Sequence, residues 1–179
     1  MLLQAGADPN SRWVDGPTPL MMAVETGNQA KVEALLAAGA EVNVMSGSGR
    51  TACWLAALHD KSEVLALLLR HGADPELSPP ARSLDRGSGK TPLQIAAEMG
   101  HQEAVRTLLE AGANPNRRGG WGWTPLMSAA DARIEEVVAL LLAFGADPDM
   151  RDNDEHTAAE VDAAEADRRG CSRKAAVFG

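Results

Sequence analysis

TPLQIAAEMGHQEAVRTLLEAGANPN, residues 91–116, holds two helices and the punctuation between them. Thr91 stands where a side-chain oxygen can cap the free amides of a helix start. Pro92 suits the first helical position, because its missing N–H would be unbonded there anyway. The small pair Ala96 and Ala97 lets a neighbouring helix approach closely. Gly100 ends the first helix, since glycine accepts the left-handed conformation that a helix end often needs. Val105, Leu108 and Leu109 recur at helical spacing and predict a second helix. Gly112 stops it, and Asn114-Pro115-Asn116 begin an extended turn. Neither helix can bury its apolar face alone, so such a unit must stack on others like it.

The rest of the chain supplies those others. Threonines preceding an apolar run fall at Thr18, Thr51, Thr91, Thr124 and Thr157, at intervals of 33, 40, 33 and 33 residues. A glycine-alanine marker keeps step at Gly6, Gly39, Gly72, Gly112 and Gly145, again at intervals of 33 with one of 40. The period is therefore 33, with one insertion of 7 residues between Asp74 and Thr91. Two independent markers in phase make chance a poor explanation. The insertion carries Pro75, Pro79, Pro80, Arg82, Asp85 and Arg86 and has neither a helical nor a strand period. It reads as a surface loop, with a partner contact or a proteolytic site as the lesser alternatives.

TPLMMA (18–23), TPLQIA (91–96), TPLMSA (124–129) and, more loosely, TACWLA (51–56) resemble the ankyrin repeat family. So do the second-helix segments VEALLAAGAEVN (32–43) and AVRTLLEAGANPN (104–116), and the resemblance covers nearly the whole chain. It implies an all-α fold, a solenoid of stacked helix pairs with β-hairpin loops projecting at right angles. By phase, residues 1–16 are a partial first repeat and 17–50, 51–90, 91–123 and 124–156 are four repeats. Residues 157–170 then form a capping helix and 171–179 a tail. Met1-Leu2-Leu3 corresponds to Leu67-Leu68-Leu69, the last turn of a second helix. Either the natural protein is longer, or residues 1–16 form a partial cap.

DRGSGKTPL (85–93) ends like a phosphate-binding loop, whose backbone amides cradle phosphates while a lysine reaches the outer ones. Leu84, however, stands where that loop needs a glycine, and the preceding LSPPARSLDR (77–86) is no buried strand. Gly89-Lys90-Thr91 instead falls in phase with Gly49-Arg50-Thr51 and Gly122-Trp123-Thr124, so it reads as a hairpin closing onto a helix. The net charge of −8 argues against general nucleic-acid or membrane-surface binding. Cys53 and Cys171 make no disulfide framework, and no secretory or membrane-spanning segment is visible. A soluble, cytoplasmic protein is expected, and a secreted effector stays open. His59, His71, His101 and His156 are too dispersed for a local metal site. DPDMRDNDE (147–155) looks like a calcium loop, but Arg151 fills a ligand slot and the central glycine is missing, so it reads as a solvated acidic hairpin. No nucleophile motif is present. No catalytic residue, cofactor or metal is expected.

Tryptophan stands out. Trp13, Trp121 and Trp123 fall in hairpin segments expected to be among the most exposed, where indoles are favoured at binding hot spots. The alternative is that each ring folds back on its own hairpin or on a neighbour. Trp54, inside a first helix, is expected to be buried. In the family, partners usually dock on the concave face, made of hairpin tips and first-helix ends. Mapped by phase, that face comprises Arg12, Trp13, Val14, Glu25, Thr26, Met45, Arg50, Leu58 and His59. It continues through Lys90, Glu98, Met99, Trp121, Trp123, Asp131, Arg151 and His156. Apolar groups among charges of both signs suit a protein epitope better than an anion or nucleic acid. The expected function is a non-catalytic scaffold that binds another protein. The alternatives are a regulatory or targeting fragment of a larger protein, such as an enzyme, and a module that self-associates through its incomplete N-terminal repeat.

Overall fold

The computed structural model describes residues 8–11, 14, 16–80 and 89–168. Among these run nine α-helices: α1 Pro19–Glu25, α2 Gln29–Ala37, α3 Ala52–Leu58, α4 Ser62–Arg70, α5 Pro92–Met99, α6 Gln102–Glu110, α7 Pro125–Ala132, α8 Glu135–Ala143 and α9 Ala158–Arg168. The odd-numbered helices form one row of neighbours and the even-numbered ones the other, so each unit is a helix pair packed on the next pair.

Local chemistry sets the helix starts. The hydroxyls of Thr18, Thr51, Thr91 and Thr124 accept the N–H of Met21, Trp54, Gln94 and Met127 at 3.2, 3.1, 3.2 and 3.3 Å. These threonines are buried, and such a cap contributes about 1 kcal/mol each. The second helices end alike. At Gly112, φ is 89° and the following Ala113 N–H donates back to Leu108 O at 3.0 Å, which satisfies a free carbonyl. The pairs Ala56-Ala57, Ala96-Ala97 and Ala129-Ala130 are buried between rows. Leu65, Leu68, Leu93, Leu108, Leu126 and Leu141 are fully buried in the same core. Each such leucine gains about 1.5–3 kcal/mol relative to exposure.

Between units, asparagines act as clamps. Asn43 donates from Nδ2 to Gly72 O at 2.9 Å and accepts the Asp74 N–H on Oδ1 at 2.8 Å. Asn116 does the same to Gly145 O (3.1 Å) and Asp147 N (2.8 Å), and Asn10 to Gly39 O (3.2 Å) and Glu41 N (2.8 Å). At the in-phase place before the insertion stands Glu76, which accepts only, from Asn114 N at 2.8 Å.

No strand forms among the described residues. The three hairpins that lie within the described residues are five-residue turns, each closed by one main-chain bond: Ser46 N to Arg50 O (3.0 Å), Gly119 N to Trp123 O (2.9 Å) and Asp152 N to His156 O (3.0 Å). The first part of the insertion does not project as a free loop. Pro79 is buried, and with Pro80 it packs on Gly49 of the preceding turn. The remainder of the insertion, residues 81–88, lies outside the described residues, as do residues 1–7, 12, 13 and 15 of the partial first repeat 1–16 and the tail 171–179.

Candidate functional site

The ends of α5 and α7 meet the turn 119–123 around a recess lined by Lys90, Glu98, Gly120, Trp121, Trp123 and Asp131. Phase brings them together: Glu98 and Asp131 lie in the last turns of successive first helices, while Lys90 and Trp123 each precede a capping threonine. Five of the residues expected on the binding face from sequence thus share one recess.

Their environments differ sharply. Lys90 is 7% exposed, and its ammonium is paired with the Glu98 carboxylate. The Lys90 ammonium therefore does not reach outward as a phosphate-binding lysine would. Trp123 is half-buried against the core, and its indole N–H donates to Asp152 Oδ2 at 3.2 Å. Of the two readings of the hairpin indoles, this one follows the ring that folds onto a neighbour. Trp121 is 37% exposed and has φ 62° and ψ 11°, the left-handed region, which is uncommon for so bulky a residue. Its turn is held on both sides, by Gly122 N to Gly119 O (3.1 Å) within it and by Asn153 N to Trp121 O (3.0 Å) from the next turn.

The turn also has little room beneath it. A Cβ on Gly119 would clash with the Gln94 amide and stand 2.7 Å from Gly89 O. Gln94 approaches because its Nε2 donates to Trp123 O, as Trp54 Nε1 donates to Lys90 O at 3.0 Å one unit earlier. Trp54 is 4% exposed, as expected, with the Arg50 guanidinium 4.8 Å from its ring centroid. These links from the third residue after a capping threonine to the turn that closes the same repeat were not foreseen. Their signal was the in-phase series Met21, Trp54, Gln94 and Met127, in which only Trp54 and Gln94 carry a donor.

The other expected face residues scatter around this centre. Val14 is 95% exposed, Met99 47% and Met45 37%. Glu25 and His59 are exposed, and the exposed Thr26 donates its hydroxyl to Ala23 O at 2.9 Å. Leu58 is half-buried against the core, and its carbonyl lies 3.2 Å from His101 Nε2. Arg151 is exposed and donates to Glu155 O, and Arg12 and Trp13 lie outside the described residues.

Chemistry beyond contact finds little support. Asp152, Asp154 and His156 place potential metal ligands within 4.8 Å of one another. Asp152, however, is 5% exposed and already accepts from Asp154 N and His156 N at 2.9 Å as well as from Trp123, so it serves as the post of its turn. Burial, helped by the charge of Asp74, pushes the Cys53 thiol up to about 12, which keeps it an inert core group. No helix among the described residues is long and apolar enough to cross a membrane.

Against known families, a model of ankyrin repeats in three copies matches residues 1–79, 20–119 and 77–152. The chain is an ankyrin-repeat protein. No curated protein matches it. Ankyrin repeats are generally protein–protein interaction modules and typically non-catalytic. On the ankyrin frame the recess lies where hairpin turns meet first-helix ends, and the Trp123–Asp152 and Asn153–Trp121 bonds bind the last two turns into one rim.

Proposed function

We propose that this ankyrin module binds another protein on its concave face, with the recess at Trp121 as the centre of contact. The observation that carries the reading is the backbone of Trp121. A non-glycine residue in a sparsely populated conformation costs about 1–3 kcal/mol, and such strain persists where surrounding structure enforces it, often at binding sites. Glycine or asparagine would sit at φ 62° with less strain, yet the position carries an indole, the side chain most enriched at binding hot spots. Its neighbours suit that role. Trp123 is fixed by Asp152, and the Lys90–Glu98 pair stiffens the floor.

Trp121→Gly tests this reading. It relieves the backbone and removes the ring, so a partner recovered with the wild-type chain should bind at least tenfold more weakly, while the melting temperature holds or rises. Undiminished binding by the variant would move the contact away from this recess.

A further inference from the structure

We infer that Arg118 and Asn153 are positioning residues for this contact: together they hold the Trp121 backbone in the left-handed region and so set the place of its indole. The inference rests on the docking face proposed above and names what gives that face its shape. The path of the repeat does not demand the conformation. In phase with Trp121 stand Ser48 and Asp154, and neither has a positive φ. Yet all three turns close with the same bond and share a left-handed fourth residue, Gly49, Gly122 and Glu155. Something particular to the turn 119–123 therefore imposes it.

Arg118 spans two turns with one planar group. Its Nε donates to Gly122 O at 3.0 Å and its Nη2 to Asn153 Oδ1 at 3.0 Å. Asn153 in turn donates its main-chain N–H to Trp121 O at 3.0 Å. Two successive carbonyls, those of residues 121 and 122, are thus tied. Because each peptide is planar, their directions fix the dihedrals between them. The next unit supplies a control. Arg151, in phase with Arg118, donates to Glu155 O as Arg118 does to Gly122 O, yet φ at Asp154 is not positive. A grip on that carbonyl alone does not turn the third residue, so the bond to Asn153 makes the difference. Gly122 leaves room for the pair: a Cβ there would stand 2.3 Å from Arg118 Nη2 and 2.5 Å from Asn153 Oδ1. Both side chains are exposed, where one hydrogen bond adds little to the fold. They set direction rather than stability.

The test uses the full chain labelled with ¹⁵N and three variants, Arg118→Met, Arg118→Lys and Asn153→Ala. Arg118→Met brings in the side chain of the in-phase Met45. In the free wild-type chain the Trp121 amide should be rigid, with an order parameter of about 0.85, and in each variant it should fall below about 0.6. The Asn153 amide should exchange with solvent about tenfold faster as its bond to Trp121 opens. Arg118→Lys should fail like Arg118→Met, since an ammonium lacks the planar fork that spans two turns. The melting temperature should hold within about 2 °C, as for a surface change. A partner recovered with the wild-type chain should bind each variant about fivefold more weakly. Arg118→Met added to Trp121→Gly should weaken binding no further, because the pair acts through Trp121. Unchanged Trp121 order and Asn153 exchange would overturn the inference, as would a further loss in the double variant, and Asn153→Ala decides if Arg118→Met folds poorly. The docking face fails separately. A partner weakened by Trp121→Gly but not by the other variants leaves the face standing and sinks the positioning pair, whereas a partner indifferent to Trp121→Gly sinks both.

Discussion

Two turns of this protein occupy the same phase and close with the same bond, and they do opposite things with it. Ser46-Gly47-Ser48-Gly49-Arg50 is small and polar, and Arg50 lies over Trp54 in the helix that directly follows it. Gly119-Gly120-Trp121-Gly122-Trp123 carries two indoles, sends Trp123 forward to Asp152 of the next turn and holds Trp121 in the left-handed region. Ser46 has a Cβ where Gly119 has no room for one. The frame of a repeat fixes the path of the backbone, while side chains on that path decide whether a turn merely caps its unit or joins two units into a surface.

The sharpest break in this comparison would come at the residue before the capping threonine. Trp123→Ala should destabilise the fold by about 3 kcal/mol, combining lost half-buried ring area with an oxygen left orphaned on buried Asp152. Arg50→Ala, in phase, should cost under about 1 kcal/mol, the scale of an exposed cation–π contact. Urea titration of both variants measures the gap, and similar losses would mean that the turns are equivalent after all. Next comes the first residue of the turn. Gly119→Ser should cost about 2 kcal/mol by overpacking against Gln94 and Gly89, while Ser46→Gly should change stability by a few tenths, read from the same titrations. Part of the Gly119→Ser loss should be recovered in a Gln94→Ala background, because the two residues share one space. The smallest effect lies where the first helices end. Asp60 and Arg133 have φ of 51° and 59° at places where other units carry glycine. Asp60→Gly should gain about 0.5 kcal/mol by thermal melt from relief of that conformation. Arg133→Gly should gain less or lose, since it gives up the ion pair to Asp162.

The helices and their ends were legible in the sequence because their causes are local. A capping threonine, a proline one step in and a glycine after the last turn act within a few residues of themselves. The recess was half legible. Phase placed Lys90, Glu98, Trp121, Trp123 and Asp131 on one face, but phase says nothing of depth. Lys90 sinks because Glu98 takes its charge, and Trp123 sinks because a carboxylate 29 residues on meets its N–H. Gln94 to Trp123 and Asn43 to Gly72 also span 29 residues, a separation that local periodicity never samples. Leu58, placed on the concave face by phase, is half-buried, and its carbonyl meets His101 of the next unit.

The asparagine clamps carry one more implication. Asn43 and Asn116 grip the following unit only by main-chain atoms, the carbonyl of a glycine and the amide two residues on. Such a grip is blind to the side chains of the unit it holds. Units joined this way behave like bricks laid on a common mortar. Each can be refaced residue by residue, or exchanged for another of the same pitch, while the wall keeps its line. Glu76, which takes an amide but has no proton to give a carbonyl, is the one course among those described that is laid dry on one side.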